Sequence, residues 1–465
     1  MNPPSVNFLA VSRNPDGSLP AKRNAAHNHD AFFKSVQWSA DGTTLFTSSS
    51  SNRICAFVLP ETLLDPRPSP MTLAPHSTLA LPEPTSAIAP CPYFALDHPA
   101  TQTLLTASKD HPIHLHHAFP PPSPSARQPP PLASFNLIKP ETEAYLPIAS
   151  LLWPAPGTHF VAGTANLVAV FDVSRPDALR AAPLLSIPTI PSTRHLAKGG
   201  GVGMRGTVSA LAAQPAAGGA AGGEGWGVVA AGTWTRNLGV YDLARAGACV
   251  ATWSVAGAAA AGRGGKGVVQ TVWSPCGRYL VVNERGATGL LVYDLQGTHR
   301  LLACLEGRDG TTNQRLSCDV FPGSGSVGGF EVWAGTKDGG VVVWEGVGNQ
   351  EGVVRPSWDW QGHNAAVGST ALHMSGSVVA TCSGSWEVVD GDDNSGTSDS
   401  SDSSGTSDSS DDSADESGSG ASARIRTRPQ SQVVVHETSL KIWSIGPSVP
   451  SQAERESQDE GDAAE

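Results

Sequence analysis

Short apolar runs, bounded by Gly, Pro, Ser, Asn or Asp, recur along the chain in threes. Each triplet reads as a strand, a small-residue turn, a second strand, a polar loop, and a third strand ending in an aromatic residue. Apolar runs of this length with turn chemistry between them predict β-strands. The copies are VQWSADGTTLFTSSSSNRICAFVL (36–59), YFALDHPATQTLLTASKDHPIHLHHAF (93–119), SLLWPAPGTHFVAGTANLVAVFDV (150–173) and a split copy over 208–243. They continue as VVQTVWSPCGRYLVVNERGATGLLVYDL (268–295), LSCDVFPGSGSVGGFEVWAGTKDGGVVVWEG (316–346) and a second split copy over 369–444. Three visible strands plus a connecting fourth, seven times over, predict an all-β chain: a seven-bladed WD-type β-propeller spanning 31–446.

The repeats are longer than the about 40–45 residues of a plain WD blade. The excess lies in Pro-rich and Gly/Ala-rich stretches such as PPPSPSARQPPP (120–131) and AAGGAAGGEG (216–225), which lack apolar content for a core and read as surface loops. Residues 1–30 read as mostly flexible, except for VNFLAV (6–11), a strand standing alone before the first repeat. Its expected role is to supply the outer strand of the seventh blade and so close the ring, removing two open sheet edges. The WD dipeptide is degenerate: Phe171-Asp172, Tyr241-Asp242, Tyr293-Asp294, Trp344-Glu345 and Ile442-Trp443 occupy its place. These residues read as packing and turn capping, not chemistry.

The seventh repeat is interrupted over 388–436 by a Ser-rich acidic segment whose composition predicts disorder. Ser407 and Ser410, followed closely by acids, suit an acid-directed kinase, each phosphate adding about 1.5–2 negative charges. The tail 447–465 is acidic as well. Formal net charge is −12, but 388–423 holds ten acids and no base, and 451–465 carries a net −5. The remainder is mildly basic, at about +3, so overall acidity is no argument against an anionic partner.

Seven cysteines, with no CxxC, fit a reducing compartment. No signal-peptide pattern and no long apolar span is present, so the expectation is a soluble intracellular protein without a membrane partner. Three runs imitate chemistry. Gly201–Gly206 matches GxGxxG but precedes a strand, so no helix N-terminus is there for a pyrophosphate. Asp390–Asn394 opens like a calcium loop, yet Ser395 and Ser401 stand where glycine and a bidentate acid belong. In His111–His117, His114 and His116 share a strand face without a completing carboxylate or thiol. With no nucleophile or metalloprotease motif, the expectation is a non-enzyme with no cofactor, no metal and no small-molecule substrate.

Topology carries more. Loops joining second to third strands, and loops leading into first strands, emerge on one face of a propeller. The former carry Asn52, Arg53, Lys109, His111, Asn166, Trp234, Arg236, Asn237, Arg285 and Lys337; the latter carry Phe33, Lys34, Arg205, Lys266, Asn313, Gln314, Arg315 and His363. Cations, amides and aromatics converging on one face suit single-stranded or looped RNA; a protein partner is the alternative. The candidate RNA-binding set is Lys109, His111, Arg236, Arg285, Asn313, Gln314, Arg315 and Lys337.

Two runs are more specific than a generic blade. SKDHPIHLHHAF (108–119) and GRDGTTNQRLSCDVFP (307–322), with FFKSVQWSADGTTLFTSSSSNRICAFVLP (32–60) behind them, resemble the telomerase Cajal body protein family. Thr311-Thr312-Asn313-Gln314-Arg315 is the sharpest match. The resemblance implies a nuclear platform that binds small Cajal body RNAs, including a telomerase RNA in some hosts, and directs their ribonucleoproteins to a nuclear body. It also implies a link, through divergent relatives, to small nuclear ribonucleoprotein assembly and pre-mRNA splicing. On this reading the partners are small nuclear or Cajal body RNAs and their proteins. Location is the nucleoplasm or a Cajal body-like structure, with a cytoplasmic pool. A protein-only scaffold in splicing-factor assembly stays as the alternative.

Overall fold

The turn chemistry places the strands. In a computed structural model, which describes residues 3–13, 15, 31–120, 129–174, 182–190, 203–215, 227–259, 264–296, 300–323, 328–389, 432–435 and 437–446, seven antiparallel sheets form a β-propeller. Blade one comprises Phe33–Trp38, Thr44–Ser49, Arg53–Val58 and Ser77–Ala80, from the innermost strand outward. Blades two to six repeat this order, with inner strands Thr85–Pro90, Ser150–Leu152, Val208–Ala213, Val268–Trp273 and Cys318–Pro322.

Blade seven is assembled from separated stretches: Val367–Leu372, Val378–Ser383, Ser439–Gly446 and, outermost, Ser5–Ser12. Ser5–Ser12 runs antiparallel to Ser439–Gly446, with Val6 opposite Ile445 and Val11 opposite Lys441. Two blades gain a fifth, parallel strand from a neighbour's connection: Met71–Thr72 beside Ala10 and Val11, and Gly352–Val354 beside Ala303–Leu305. By itself, the segment after Ser385 holds a two-stranded sheet of Trp386–Val389 and Gln432–Val435. Ser407, Ser410, the run 390–420 and the tail lie outside the described residues.

Aromatic residues lock blade to blade. Phe46 meets Phe94 edge-on at 5.4 Å, and Phe135 meets Phe160 at 4.9 Å. All four are fully buried, each contributing about 1.5–3 kcal/mol of transfer free energy. Three tryptophan N–H groups cross between blades: Trp38 to Ala371 O, Trp273 to Ala212 O and Trp344 to Glu306 O, at 3.0–3.1 Å. The acid of the WD-like pair does cap. Asp172, Asp242 and Asp294 each accept the backbone N–H two residues on, at 2.9–3.0 Å.

Blade seven also carries a buried relay. Trp443 Nε1 donates to Thr381 Oγ1 at 2.8 Å, and Thr381 Oγ1 lies 2.7 Å from His363 Nε2. His363 Nδ1 lies 3.0 Å from Ser439 Oγ, which donates to Glu437 Oε1 at 2.8 Å. An indole can only donate, so the threonine hydroxyl is free to donate to Nε2, and the imidazole proton sits on Nδ1. Burial lowers the His363 pKa and keeps the ring neutral.

One irregularity recurs at the start of the inner strands. Ladder register slips at Lys34, Ser86, Ser209, Val269 and Gly368, leaving one residue in each of five blades outside the pairing. These β-bulges lie at one level of the ring and free their backbone groups from the ladder.

Candidate functional site

The inner strands enclose a central channel of about 620 Å³ reached by residues of all seven blades. Two cations enter it. Lys34 occupies the blade-one bulge and donates from Nζ to Thr85 O at 3.1 Å. Arg315, on the loop leading into blade six, reaches across to the bulges of blades four and five. Its Nη2 donates to Val269 O and, at 3.5 Å, to Ser209 O.

That loop is held rigid from below. Arg308 is 3 % exposed and donates to Gly335 O at 2.9 Å, Asn283 Oδ1 at 2.9 Å and Leu316 O at 3.2 Å. Asn283 donates to Leu316 O as well, at 2.7 Å, and Gln270 Oε1 receives Cys318 N–H at 2.8 Å. Gln314 Nε2 ties the loop to Gly384 O of blade seven at 2.7 Å. With both flanks fixed, Arg315 is aimed into the lumen at little further entropic cost.

Electrostatics separates this site from the rest of the face. Burial, then the nearby charge of Arg285, brings the Arg315 pKa down to about 10. Burial, then Arg315, lowers that of Lys34. Arg315 stays protonated at neutral pH. Arg315 is exposed and borders the channel, so its charge is accessible there. Among the described residues no carboxylate lies within 4 Å of Lys34, Arg285 or Arg315. Arg285 instead lies over the Trp234 ring at 5.6 Å, and Trp234 is 51 % exposed.

Three other predicted cations are engaged. Arg236 holds Glu284 through Nε at 2.6 Å and Nη2 at 3.0 Å, with the carboxylate 1 % exposed. Lys337 pairs with Asp309 at 2.9 Å and Thr311 at 3.0 Å; Lys109 sits 3.9 Å from Asp110. His111 Nδ1 lies 2.8 Å from Lys109 O. Asn313 is exposed beside the engaged Gln314. Asn52 and Asn166, at φ of 62° and 56°, serve the left-handed turns of their hairpins, and Asn166 Oδ1 also accepts Gly206 N–H at 2.8 Å.

Two expectations for this face are corrected. Phe33 is fully buried and His363 is 1 % exposed. The bulge at Lys34 breaks the alternation, turning Phe33 into the core and Lys34 to the channel, while His363 belongs to the blade-seven relay. Asp319, on the channel wall, was missed. It accepts Leu372 N–H and Val320 N–H at 2.8 Å each, and burial raises its pKa to about 6. Its only sequence signal was an acid inside an apolar strand run.

Among the described residues no group of three His, Cys, Asp or Glu side chains is placed to hold a metal, and no helix is long and apolar enough to cross a membrane. None of the seven cysteines forms a disulfide, and five of them are buried. No family model matches the chain. It is 22 % identical over 316 residues, 67 % of its own length and 70 % of the relative's, to a protein of Schizosaccharomyces pombe described as guanine nucleotide-binding protein negative regulator 1. The seven sheets make the chain a seven-bladed β-propeller; neither comparison places it in the telomerase Cajal body protein family.

Proposed function

We propose that this propeller is an RNA-binding scaffold: it holds a small nuclear or Cajal body-type RNA on the face carrying Trp234, Arg285, Asn313 and Arg315, and brings the ribonucleoprotein to its place of assembly in the nucleus. The observation that carries the reading is the set of three cations, Lys34, Arg285 and Arg315, without carboxylate partners on a face that also exposes a tryptophan. No bond is made or broken. Recognition rests on phosphate neutralisation and on stacking against Trp234, worth about 1–3 kcal/mol per base. Three phosphate contacts on a single strand give a log–log salt slope near −2, at about 0.7 per contact.

The test is ultraviolet crosslinking of the tagged protein in its own cells, followed by sequencing of the bound RNA. Recovery of guide-type or spliceosomal small nuclear RNAs sharing a loop motif supports the reading. Recovery of background RNA alone from an abundant, folded protein overturns it. The second reading is a protein-only scaffold, whether in splicing-factor assembly or elsewhere. What favours it is the Schizosaccharomyces pombe relative, described as a guanine nucleotide-binding protein negative regulator. On that reading the same face takes a protein, and RNA crosslinks to Lys34, Arg285 and Arg315 are absent.

A further inference from the structure

Several cations near this face are already paired within the fold. Lys109, Arg236, Lys337 and Lys441 each lie against a carboxylate, at 2.6–3.9 Å. Arg308 is sealed among carbonyl and amide oxygens. Lys34 and Arg315 differ in three respects. They stand at one level of the ring on different blades, they border the same 620 Å³ space, and among the described residues their hydrogen-bond partners are backbone carbonyls.

Their donors are incompletely used. A guanidinium has five N–H groups and an ammonium three. Arg315 commits Nη2 alone, so Nε and Nη1 have no partner among the described residues, and Lys34 commits a single N–H bond. Burial first, then a neighbouring positive charge, Arg315 for Lys34 and Arg285 for Arg315, lowers both pKa values. A fold does not benefit from gathering cations in this way unless an anion relieves them. Because Arg315 is exposed to the channel, the stabilisation depends on what occupies it.

We infer that the channel at the level of the bulges is a binding site for a terminal phosphoryl group, held between the uncommitted Nε and Nη1 donors of Arg315 and the ammonium of Lys34, with Arg285 contributing charge from the rim. The geometry favours a tetrahedral dianion over a carboxylate. Several oxygens at tetrahedral angles can meet guanidinium donors on separate edges and a second cation approaching from another blade, whereas the two in-plane oxygens of a carboxylate meet fewer of them. It favours a terminal phosphate over an internal phosphodiester for two reasons: the terminal group carries a second negative charge, and a chain end enters a channel without threading. The source is either the phosphorylated end of an RNA or a free oligophosphate. This deepens the reading of the same face as an RNA platform, and its test is kept separable from that reading.

The experiment measures binding of three probes to the full-length protein by calorimetry and thermal shift: inorganic pyrophosphate, a 5′-phosphorylated oligouridine, and the same oligouridine ending in a 5′-hydroxyl. Expected are saturable pyrophosphate binding with a raised melting temperature, and a loss of about tenfold to a hundredfold in affinity in Lys34→Gln and in Arg315→Gln, the loss of one charge-assisted contact. Arg300→Gln, on an outer strand and paired with Glu351, binds as the wild type does. Arg315→Gln removes two backbone contacts and lowers basal stability; Lys34→Gln, which removes one, and the ligand-induced shift keep the result readable. A 5′-phosphorylated oligomer that outcompetes its 5′-hydroxyl twin identifies an RNA end as the source; pyrophosphate binding with no such preference identifies a free oligophosphate. The inference is overturned if neither pyrophosphate nor the phosphorylated oligomer binds, or if both variants bind as the wild type does. Pyrophosphate binding by a protein that recovers no RNA in cells sinks the RNA reading and leaves this site standing.

Discussion

The rim and the channel of this propeller carry the same residue types and use them in opposite ways. At the rim, Arg236, Lys337 and Lys109 each stand beside an acid of their own blade or the next one. In the channel, Lys34 and Arg315 touch only carbonyls. The difference lies in the available geometry. A hairpin loop can place an acid one or two residues from a base, as Asp110 stands beside Lys109. A channel wall made of inner strands offers backbone, and its bulges turn that backbone toward the lumen. Paired charge at the rim is therefore structural, whereas Lys34 and Arg315 in the channel, with Arg285 above them, remain free for a ligand.

Breaking the strongest rim pair sharpens this contrast most. Glu284→Gln leaves Arg236 without its counter-ion and also removes the carboxylate from Gly265 N–H at 3.0 Å. A loss of about 3 kcal/mol is expected, at the low end for a buried pair because Arg236 still reaches water, read as a lower denaturation midpoint. RNA crosslinking by the folded fraction stays unchanged. In the channel the balance is inverted. Lys34→Gln combined with Arg285→Gln leaves the midpoint close to wild type, while the magnitude of the salt slope for RNA falls by about 1.4. An unchanged slope would place these cations with the rim.

The channel acid gives a smaller, pH-dependent effect. The Asp319 pKa is raised on folding, so the folded state binds more protons than the unfolded state between the ordinary aspartate value and about 6. Its contribution to stability is greatest at low pH, declines as pH rises through that window and is level above it. Asp309 acts in the opposite sense: hydrogen bonds from Thr311, then Lys337, hold its pKa at about 2, so its contribution is lost as pH falls. Chemical denaturation of wild type and Asp319→Asn across pH 4–7 isolates the first effect as a difference that disappears in the variant. Smallest of all, Lys109→Gln leaves both melting and RNA binding unmoved; a fall matching that of Lys34→Gln would erase the distinction between rim and channel.

The blades were legible because each repeats short apolar runs bounded by turn residues, a local signal. Arg315 was legible for another reason: Thr311–Arg315 is a polar run between apolar strands and matches no generic blade. The free state of its charge was not legible, since that depends on Ser209 and Val269, 106 and 46 residues away. Phe33 and His363 show the two ways in which loop counting fails. A single bulged residue reverses which neighbour faces inward, and a buried histidine is defined by Thr381 and Ser439, 18 and 76 residues downstream. Arg308 was hidden in plain view, because a fully buried arginine without a carboxylate has the same sequence signature as a surface one.

The pairing of Ser5–Ser12 with Ser439–Gly446 sets a clock on synthesis. The first strand leaves the ribosome 427 residues before its partner is made. At about 5–20 residues per second, it waits on the order of 20–90 s with its edge unpaired. Six blades can form during that interval, each from contiguous chain, but the seventh cannot. Ring closure is thus the last event in the birth of the molecule. A chain that stops short of residue 439 carries six finished blades and an open edge ready to join another such chain.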